Sequence, residues 1–566
     1  MTPILRRITR IPSCLRRPLR CLPAACLVCT AVVQASSLAA QTQARAGVFT
    51  VLQPGDYRHY EAQFARDERE ATGKTPEDEW PWMVANIPLF SSSDKQFEEM
   101  YYFRWYAWEK HLVDTPKGYI ITEWLPKPAS PYYGALPDAA PFHLREARWL
   151  RNPSIAADDA RLWAQPDAGA RKYSFPWADS VRDVTLATGD VKLGTDLLPA
   201  LIANYTAWGD HFDPSVGLYW QIDTRDAMEK SIGGDGYRTP LNSYMVADGE
   251  AIAAFARDLG EDEVAKEYAG KSVTLRHLIE TRLWNPRDRF YEDLSPASSS
   301  GIRSEKKFKD PGTVLKFAGV RELIGYIPWE FYAPTPSHDV AWKQLFDPHG
   351  FAGRYGPTTA ERRSPRFRFA SSDQCTWNGP SWPYATTQTL LALANLLNQP
   401  QPSHPAIGKQ NYYRLFASYV LSQHIKLPSG RSIDWIDEDL DADTDEWLAK
   451  DILIQKHSWQ VGRGNYYNHS GFADPLITGL IGLRPRADNR IVVSPLLPPG
   501  QWSYFAIDGL PYHGHLLTIL YDQSGEEYHR GRGLMIFLDG KRLAGRGDLG
   551  RLEATLPAPS SPGAKD

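Results

Sequence analysis

The chain has 566 residues, 42% hydrophobic and 23% charged, with 63 Lys and Arg against 67 Asp and Glu. This composition excludes disordered, collagen-like and coiled-coil chains, and at this length it points to one large domain with a smaller appendage. The net charge of −4 hides a more acidic body: Arg6, Arg7, Arg10, Arg16, Arg17 and Arg20 fall in the first 40 residues, which hold no acid, and without them the charge is −10. Such a charge argues against nucleic acid and anionic lipid as partners.

These arginines precede an apolar stretch from Cys21 to Val33, and Ser37-Leu38-Ala39 or Leu38-Ala39-Ala40 then offers small residues to a signal peptidase. The stretch is too short to span a bilayer comfortably. Residues 1–40 are therefore expected to be an export signal, leaving a periplasmic or secreted protein with no membrane contact after cleavage. Arg16-Arg17 leaves the export route open. Cys14, Cys21, Cys26 and Cys29 go with the signal, so Cys375 has no partner for an internal disulfide. Stability must then come from a large core, and Cys375 is expected to be a small buried hydrophobe.

Residues 41 to about 86 show no clear period. From Asp94 to Val113, Phe97, Tyr101, Trp105, Trp108 and Leu112 recur at spacings of three and four, which predicts a helix with one apolar face. Similar stripes run through Leu193-Leu197-Leu201-Tyr205-Trp208, through Leu241-Met245-Ile252-Phe255-Leu259, and from Val264 and Tyr268 to Leu275, Leu278 and Leu283. More helices follow Pro383 and Lys409, and loops rich in Gly, Ser and Asp, such as Ser231 to Pro240, separate them. No fixed-length repeat is present. After Asn489 the texture changes to short strand-like runs, Arg490–Val493, Leu516–Leu520 and Leu534–Leu538, separated by turn signals such as Asp539-Gly540. The expected organisation is a mainly α domain over 41–488 with an N-terminal extension, a β-rich module over 489–556, and a disordered tail over 557–566.

The sequence lacks a phosphate-cradling Gly-Lys-Ser/Thr loop, a dinucleotide glycine pattern, a Gly-x-Ser-x-Gly elbow and a His-Glu-x-x-His helix, so chemistry falls to carboxylates. Two acid-rich segments stand out, Asp223 to Asp235 and Asp434 to Glu446. Glycoside hydrolysis needs one carboxylic acid for the leaving oxygen and one carboxylate for water or the sugar, and two such loops can supply them. The 19 Trp include flat faces suited to sugar rings, although most are expected in the core. Asp439, Asp441 and Asp443 resemble the start of a calcium loop, but Thr444 and Lys450 stand where that loop requires Gly and Glu. No cofactor and no metal site is implied.

An ordered set of segments carries a family likeness. Tyr101-Tyr102-Phe103-Arg104-Trp105, His143 to Trp149, Met228-Glu229-Lys230-Ser231 with Leu241 to Met245, Trp377-Asn378-Gly379-Pro380-Ser381-Trp382, and Tyr467-Asn468-His469-Ser470 together resemble the bacterial six-hairpin glycosidases related to glycoside hydrolase family 63 and mannosylglycerate hydrolase. The resemblance implies an (α/α)6 toroid and an inverting mechanism on an α-glucoside, an α-mannoside or a related oligosaccharide. It places the general acid at Glu229, with Asp226 as rival, and the general base at Glu438, with Asp434 and Asp437 as rivals. Lys230 should then face away from the acid, and Asp445 stands where the family pattern has Gly. The resemblance further implies a sugar subsite of Trp377, Asn378 and Trp382, with Tyr237, Arg238 and Asn242 on hydroxyls and Arg104, Trp105 and His469 as second-choice contacts. Two other readings stay open. A polysaccharide lyase on an α/α toroid would use Tyr467, His469 and Arg463, and a non-catalytic glycan-binding protein would keep the fold without the chemistry. Oligomeric state is not readable.

Overall fold

The computed structural model describes residues 48–557, apart from 126, 129–131, 297–313, 369–374 and 400–406. The expected export signal, with its four cysteines, and the tail beyond Pro557 lie outside the described residues.

The described residues are mainly helical, with a β-rich C-terminal part. The first helix predicted from periodicity runs Lys95–Glu109. Asp94, in extended conformation, caps it by accepting from the amides of Gln96 and Phe97. Its stripe is not one face of a surface helix: every residue from Met100 to Trp108 is buried, so this helix is enclosed on all sides past its first turn, where Lys95 and Gln96 remain exposed. Leu112 falls beyond it, in the strand Leu112–Thr115 that pairs with Gly118–Ile121. The other stripes become the helices Val191–Ala207, Thr239–Asp258, Asp262–Leu278, Pro383–Asn398 and Lys409–Leu421. Neighbouring helices in the chain pack as pairs, among them Thr239–Asp258 against Asp262–Leu278 and Pro383–Asn398 against Lys409–Leu421. The three residues 259–261 between the first two make them an antiparallel hairpin. No helix among the described residues is long and apolar enough to cross a membrane.

Two five-stranded sheets complete the frame. One threads the loop region between helices, in the order Leu315–Phe317, Leu294–Pro296, Gly236–Tyr237, Leu218–Gln221 and Phe212–Asp213. Such short strands carry no readable period in sequence, yet they fix both ends of the 222–235 loop, because Trp220 pairs with Tyr237 and Gln221 with Gly236. The other sheet is the C-terminal one. Its hairpin strands Tyr504–Tyr512, His515–Asp522, Gly533–Leu538 and Lys541–Arg546 run in sequence order. Asp539 and Gly540 both take left-handed backbone between the last two, the conformation that a two-residue hairpin turn demands.

The edge of this sheet is closed by a strand from the other end of the chain. Leu89–Ser92 pairs antiparallel with Asp508 to Phe505. Asp508, fully buried, accepts from the backbone amides of Thr50, Val51 and Leu52 and from the Thr518 hydroxyl at 2.6–3.0 Å. One carboxylate thus satisfies three consecutive donors of a segment with no strand partner. Asp508→Ala orphans all of them, and we expect a loss of about 4 kcal/mol of stability, read as a lower midpoint in urea unfolding without loss of helical signal in the folded baseline.

Candidate active site

Between its strand anchors the first acidic loop tightens into a 3-10 turn over Asp223–Asp226. It then passes through Ala227 and Lys230, both left-handed at φ 58° and 59°. Non-glycine residues adopt this region at a cost of about 1–3 kcal/mol, and here they bracket Met228 and Glu229. Beneath the loop lies Arg238. Its guanidinium is fully buried, 2.6 Å from Asp226 and 3.0 Å from Asp293, and it donates to Ser231 Oγ and the Gly234 carbonyl. Asp226 is thereby the buried counter-ion of an arginine. Burial pushes it up to about 6 while Arg238 pulls it back. Glu229 is half-buried and Lys230 is exposed. Burial, and then the charges of Asp138, Asp223 and Glu438, push Glu229 up to about 7, against a smaller opposing backbone hydrogen bond.

The second acidic loop follows the strand Ser432–Asp434. Asp434 faces His424 at 3.3 Å, and Asp437 is held by Lys450 at 3.3 Å. Glu438, only 1% exposed, is gripped at both oxygens. Arg463 Nε donates to Oε1 at 2.8 Å, Arg463 Nη2 to Oε2 at 2.9 Å, and Cys375 Sγ to Oε2 at 3.1 Å. Burial raises the Glu438 carboxyl and the guanidinium opposes the rise. Asp445, in the glycine position of the family pattern, has φ 63°. Asp is one of the few residues that tolerates left-handed backbone, so the substitution preserves the turn.

A third segment ties the two loops together. Trp377 N donates to the Glu229 carbonyl at 3.0 Å, and Cys375, two residues earlier, reaches Glu438. Ser381 and Leu440 exchange both backbone hydrogen bonds at 2.9 Å. Gly379 has no room for a side chain: a Cβ would sit 2.0 Å from the Arg368 carbonyl. Trp377 and Trp382 stack at 5.1 Å with an interplanar angle of 17°, and His469 meets Trp382 edge-on at 5.9 Å. Trp377 Nε1 and Asn378 Oδ1 are buried without a protein partner among the described residues. Cys375 is therefore no inert hydrophobe. It is half-buried and bonded to the candidate base.

Several residues expected on sugar hydroxyls serve the scaffold instead. Besides Arg238, Tyr237 gives its hydroxyl to Asp213 at 2.7 Å, and Asn242 spends its amide on the backbone of Tyr219 and Arg238. Arg104 is buried against Tyr419, Gln423 and Ser470 and so anchors the segment that carries His469. Trp105 is 1% exposed within the core.

Two acids missed in sequence join the site. Glu123 and Asp138 are both buried, and each has one carboxyl oxygen without a protein partner among the described residues. Burial, then Asp138, with smaller contributions from Glu438 and Glu229, raises Glu123 well above the usual carboxylate range, against a hydrogen bond from Tyr467; burial pushes Asp138 up to about 7. The signal was their setting: Ile120-Ile121-Thr122-Glu123-Trp124 and Leu136-Pro137-Asp138-Ala139-Ala140 put single acids in apolar surroundings. His143 Nε2, donating to the Asn468 carbonyl at 2.6 Å, and Asn468 N, donating to the Glu123 carbonyl at 2.8 Å, bring Glu123 to the Tyr467–His469 segment. Four carboxyls and two stacked tryptophans thus converge around one committed guanidinium.

The cluster joins carboxyl groups raised by burial to a carboxyl gripped by a guanidinium, and the comparisons place the chain among glycoside hydrolases. The model of the mannosylglycerate hydrolase MGH1-like glycoside hydrolase domain matches residues 132–470, and that of the glycosyl hydrolase family 65 C-terminal domain matches 483–544. The chain belongs to the MGH1-like glycoside hydrolase family. Among solved structures, one titled "Sialidase" is 37% identical with a TM-score of 0.79 over 90% of this chain; this chain spans 45% of that one. The GH63 mannosylglycerate hydrolase from Thermus thermophilus, in complex with Tris and D-glycerate, is 13% identical with a TM-score of 0.47, covering 66% of this chain and 98% of its own. The GH78 rhamnosidase of Bacillus sp. GL1 is also 13% identical with a TM-score of 0.47, covering 77% of this chain and 40% of its own.

Asp226 and Glu229 should separate cleanly by stability. Asp226→Ala leaves Arg238 with one buried partner fewer and should cost about 3 kcal/mol in chemical denaturation, whereas Glu229→Gln removes a carboxyl raised by burial and should leave the unfolding midpoint unchanged or higher.

Proposed function

We propose that this protein is an exported glycosidase whose helix pairs form an (α/α)6 toroid, and that it hydrolyses the O-glycosidic bond of a neutral gluco- or manno-type sugar with inversion. Glu229 donates its proton to the glycosidic oxygen as the C–O bond breaks. Glu438 takes a proton from the water that attacks the anomeric carbon from the opposite face, giving a hemiacetal and an alcohol. Inversion requires the two carboxyls to stand about 6.5–9.5 Å apart with the water between.

The observation that carries this reading is the asymmetry of the two acids. Glu229, raised to about 7 mainly by burial and further by neighbouring acids, holds its proton near neutral pH, while the two-point grip of Arg463 on Glu438 favours the charged form there. Family membership supplies the reaction class. Trp377 and Trp382 are buried against each other, 2% and 5% exposed, and so back the site with a rigid apolar wall, while Asp138 and Glu123 offer carboxyl oxygens to sugar hydroxyls. The same acids oppose an anionic ring. A sialoside carries a carboxylate, and the site's guanidinium is already engaged by Glu438. That engagement also weakens the lyase reading, which needs a free cation to neutralise a uronate. The export signal over residues 1–40 directs the mature protein to the periplasm or outside the cell.

Anomeric-proton NMR on gluco- and manno-configured glycosides is the test. Inverted product from the wild type, and a fall of at least about 100-fold in Glu229→Gln and Glu438→Gln, is the expected result; retained configuration overturns the mechanism. Because Glu229 must be protonated to act, kcat/KM should fall as pH rises through about 7, the position to which burial lifts its carboxyl. A flat profile from about pH 6 to 9 would remove Glu229 from the acid role.

A further inference from the structure

On the chain segments that lead to Glu123 and Asp138 lies a separate cleft of about 800 Å³, walled by Tyr119, Tyr132 and Tyr133 and edged by Lys117, Asp158, Arg161 and Asp167. We propose that this cleft binds the part of a neutral oligosaccharide that extends away from the scissile bond, so that the substrate is a sugar chain and not a small glycoside. The inference rests on the glycosidase reading and adds the substrate's length to it.

The wall chemistry suits a sugar chain. All three tyrosines are half-buried, presenting flat rings with hydroxyl edges, the amphipathic surface on which C–H faces of sugars pack. The edge charges balance, two basic and two acidic, and they are partly paired: Arg161 lies 3.6 Å from Asp158, and the Tyr132 hydroxyl donates to Asp167. An anionic chain therefore meets no net attraction here. The volume falls in the range of small-molecule sites, about 300–1,000 Å³.

The backbone is built to hold this shape. Tyr133 is left-handed at φ 52° and is followed by Gly134 at φ 84°. Gly134 packs so closely that a Cβ would lie 2.7 Å from Pro128 and 3.0 Å from the Trp124 indole nitrogen. A half-exposed tyrosine in disfavoured backbone returns little packing for its strain, and such outliers concentrate at ligand sites. On the other wall, Gly118 abuts the Asp158 carboxylate, and Tyr119 N donates to it at 3.2 Å.

Both walls run on, along the chain, to the carboxyls of Glu123 and Asp138. The strand Gly118–Ile121 ends two residues before Glu123, and four residues of fully extended chain put Tyr119 no more than about 14 Å from Glu123 between Cα atoms. Tyr132 and Tyr133 precede Asp138 on a similarly short tether. A chain with its terminal sugar among the acids has the cleft within reach.

The test uses the mature full-length protein carrying Glu438→Gln, with and without Tyr133→Gly. Glycine removes the ring and relieves the left-handed backbone, so this variant should fold at least as well as its parent, which a thermal melt checks. Calorimetric titration with linear α-gluco- and α-manno-oligosaccharides of two to eight sugars should show affinity rising with length in one series, and a loss of fivefold or more for the longest chains in Tyr133→Gly. Equal affinity at all lengths, no binding in either series, an unchanged affinity in Tyr133→Gly, or preference for an oligogalacturonate chain would each overturn the proposal. Turnover of aryl glycosides by the unsubstituted protein reports on the glycosidase reading separately, so that failure of the cleft and failure of the chemistry give different results.

Discussion

A carboxyl group taken out of water keeps its proton unless a cation or several donors hold its charge, and the site follows from how that rule is applied to six acids. Asp226 and Asp293 receive Arg238, fully buried with them, and become part of the scaffold. Glu438 receives Arg463 in a two-point grip. Glu229, Asp138 and Glu123 are pushed up by burial, and Glu229 and Glu123 further by neighbouring acids. Neighbouring side chains of the same chemistry therefore sit in different settings: two share a buried guanidinium, one is gripped at both oxygens, and three are pushed up by burial. The two arginines decide which is which.

The loops that carry these acids come from distant parts of the chain, and backbone hydrogen bonds set their separation. The segment from Cys375 to Ser381 bonds to the Glu229 loop at one end and to the Glu438 loop along the other. It also supplies Trp377 and leads directly into Trp382, so the stacked tryptophan pair and the brace between the carboxyls are one piece of chain. Gly379 lies within this brace, where a Cβ would meet the Arg368 carbonyl at 2.0 Å, so the brace also packs directly against the chain at Arg368.

The helices were legible because three- and four-residue spacing is a local property: the stripes at Phe97, Leu193, Leu241 and Val264 each became a helix. What that spacing could not show is that residues 100–108 are enclosed on every side, since burial is decided by partners hundreds of residues away. The strands of two to four residues around the 222–235 loop were illegible for the opposite reason, being too short to display a period. In the site, Glu229, Glu438, Trp377 and Trp382 came from motif likeness, and the structure brings them together. Tyr237, Arg238 and Asn242 belong to the same motifs but turn into the fold, because sequence proximity to an acid does not say which way a side chain points. Glu123 and Asp138 escaped notice because each stands alone, with no acid-rich run to mark it.

The strand Leu89–Ser92 pairs with residues 505–508, and the Asp508 carboxylate captures residues 50–52. More than 400 positions separate these partners, so the loop they close is nearly the whole molecule, and its entropy is recovered only when everything between has ordered. Residues 50–52 and 89–92 are thus among the last parts of the described fold to be secured. A ribosome or channel releasing this chain from the N-terminus leaves residues 50–92 without their sheet until the final strands emerge, and the finished protein behaves as a ring closed by hydrogen bonds, in which loss of the C-terminal strands also frees the beginning.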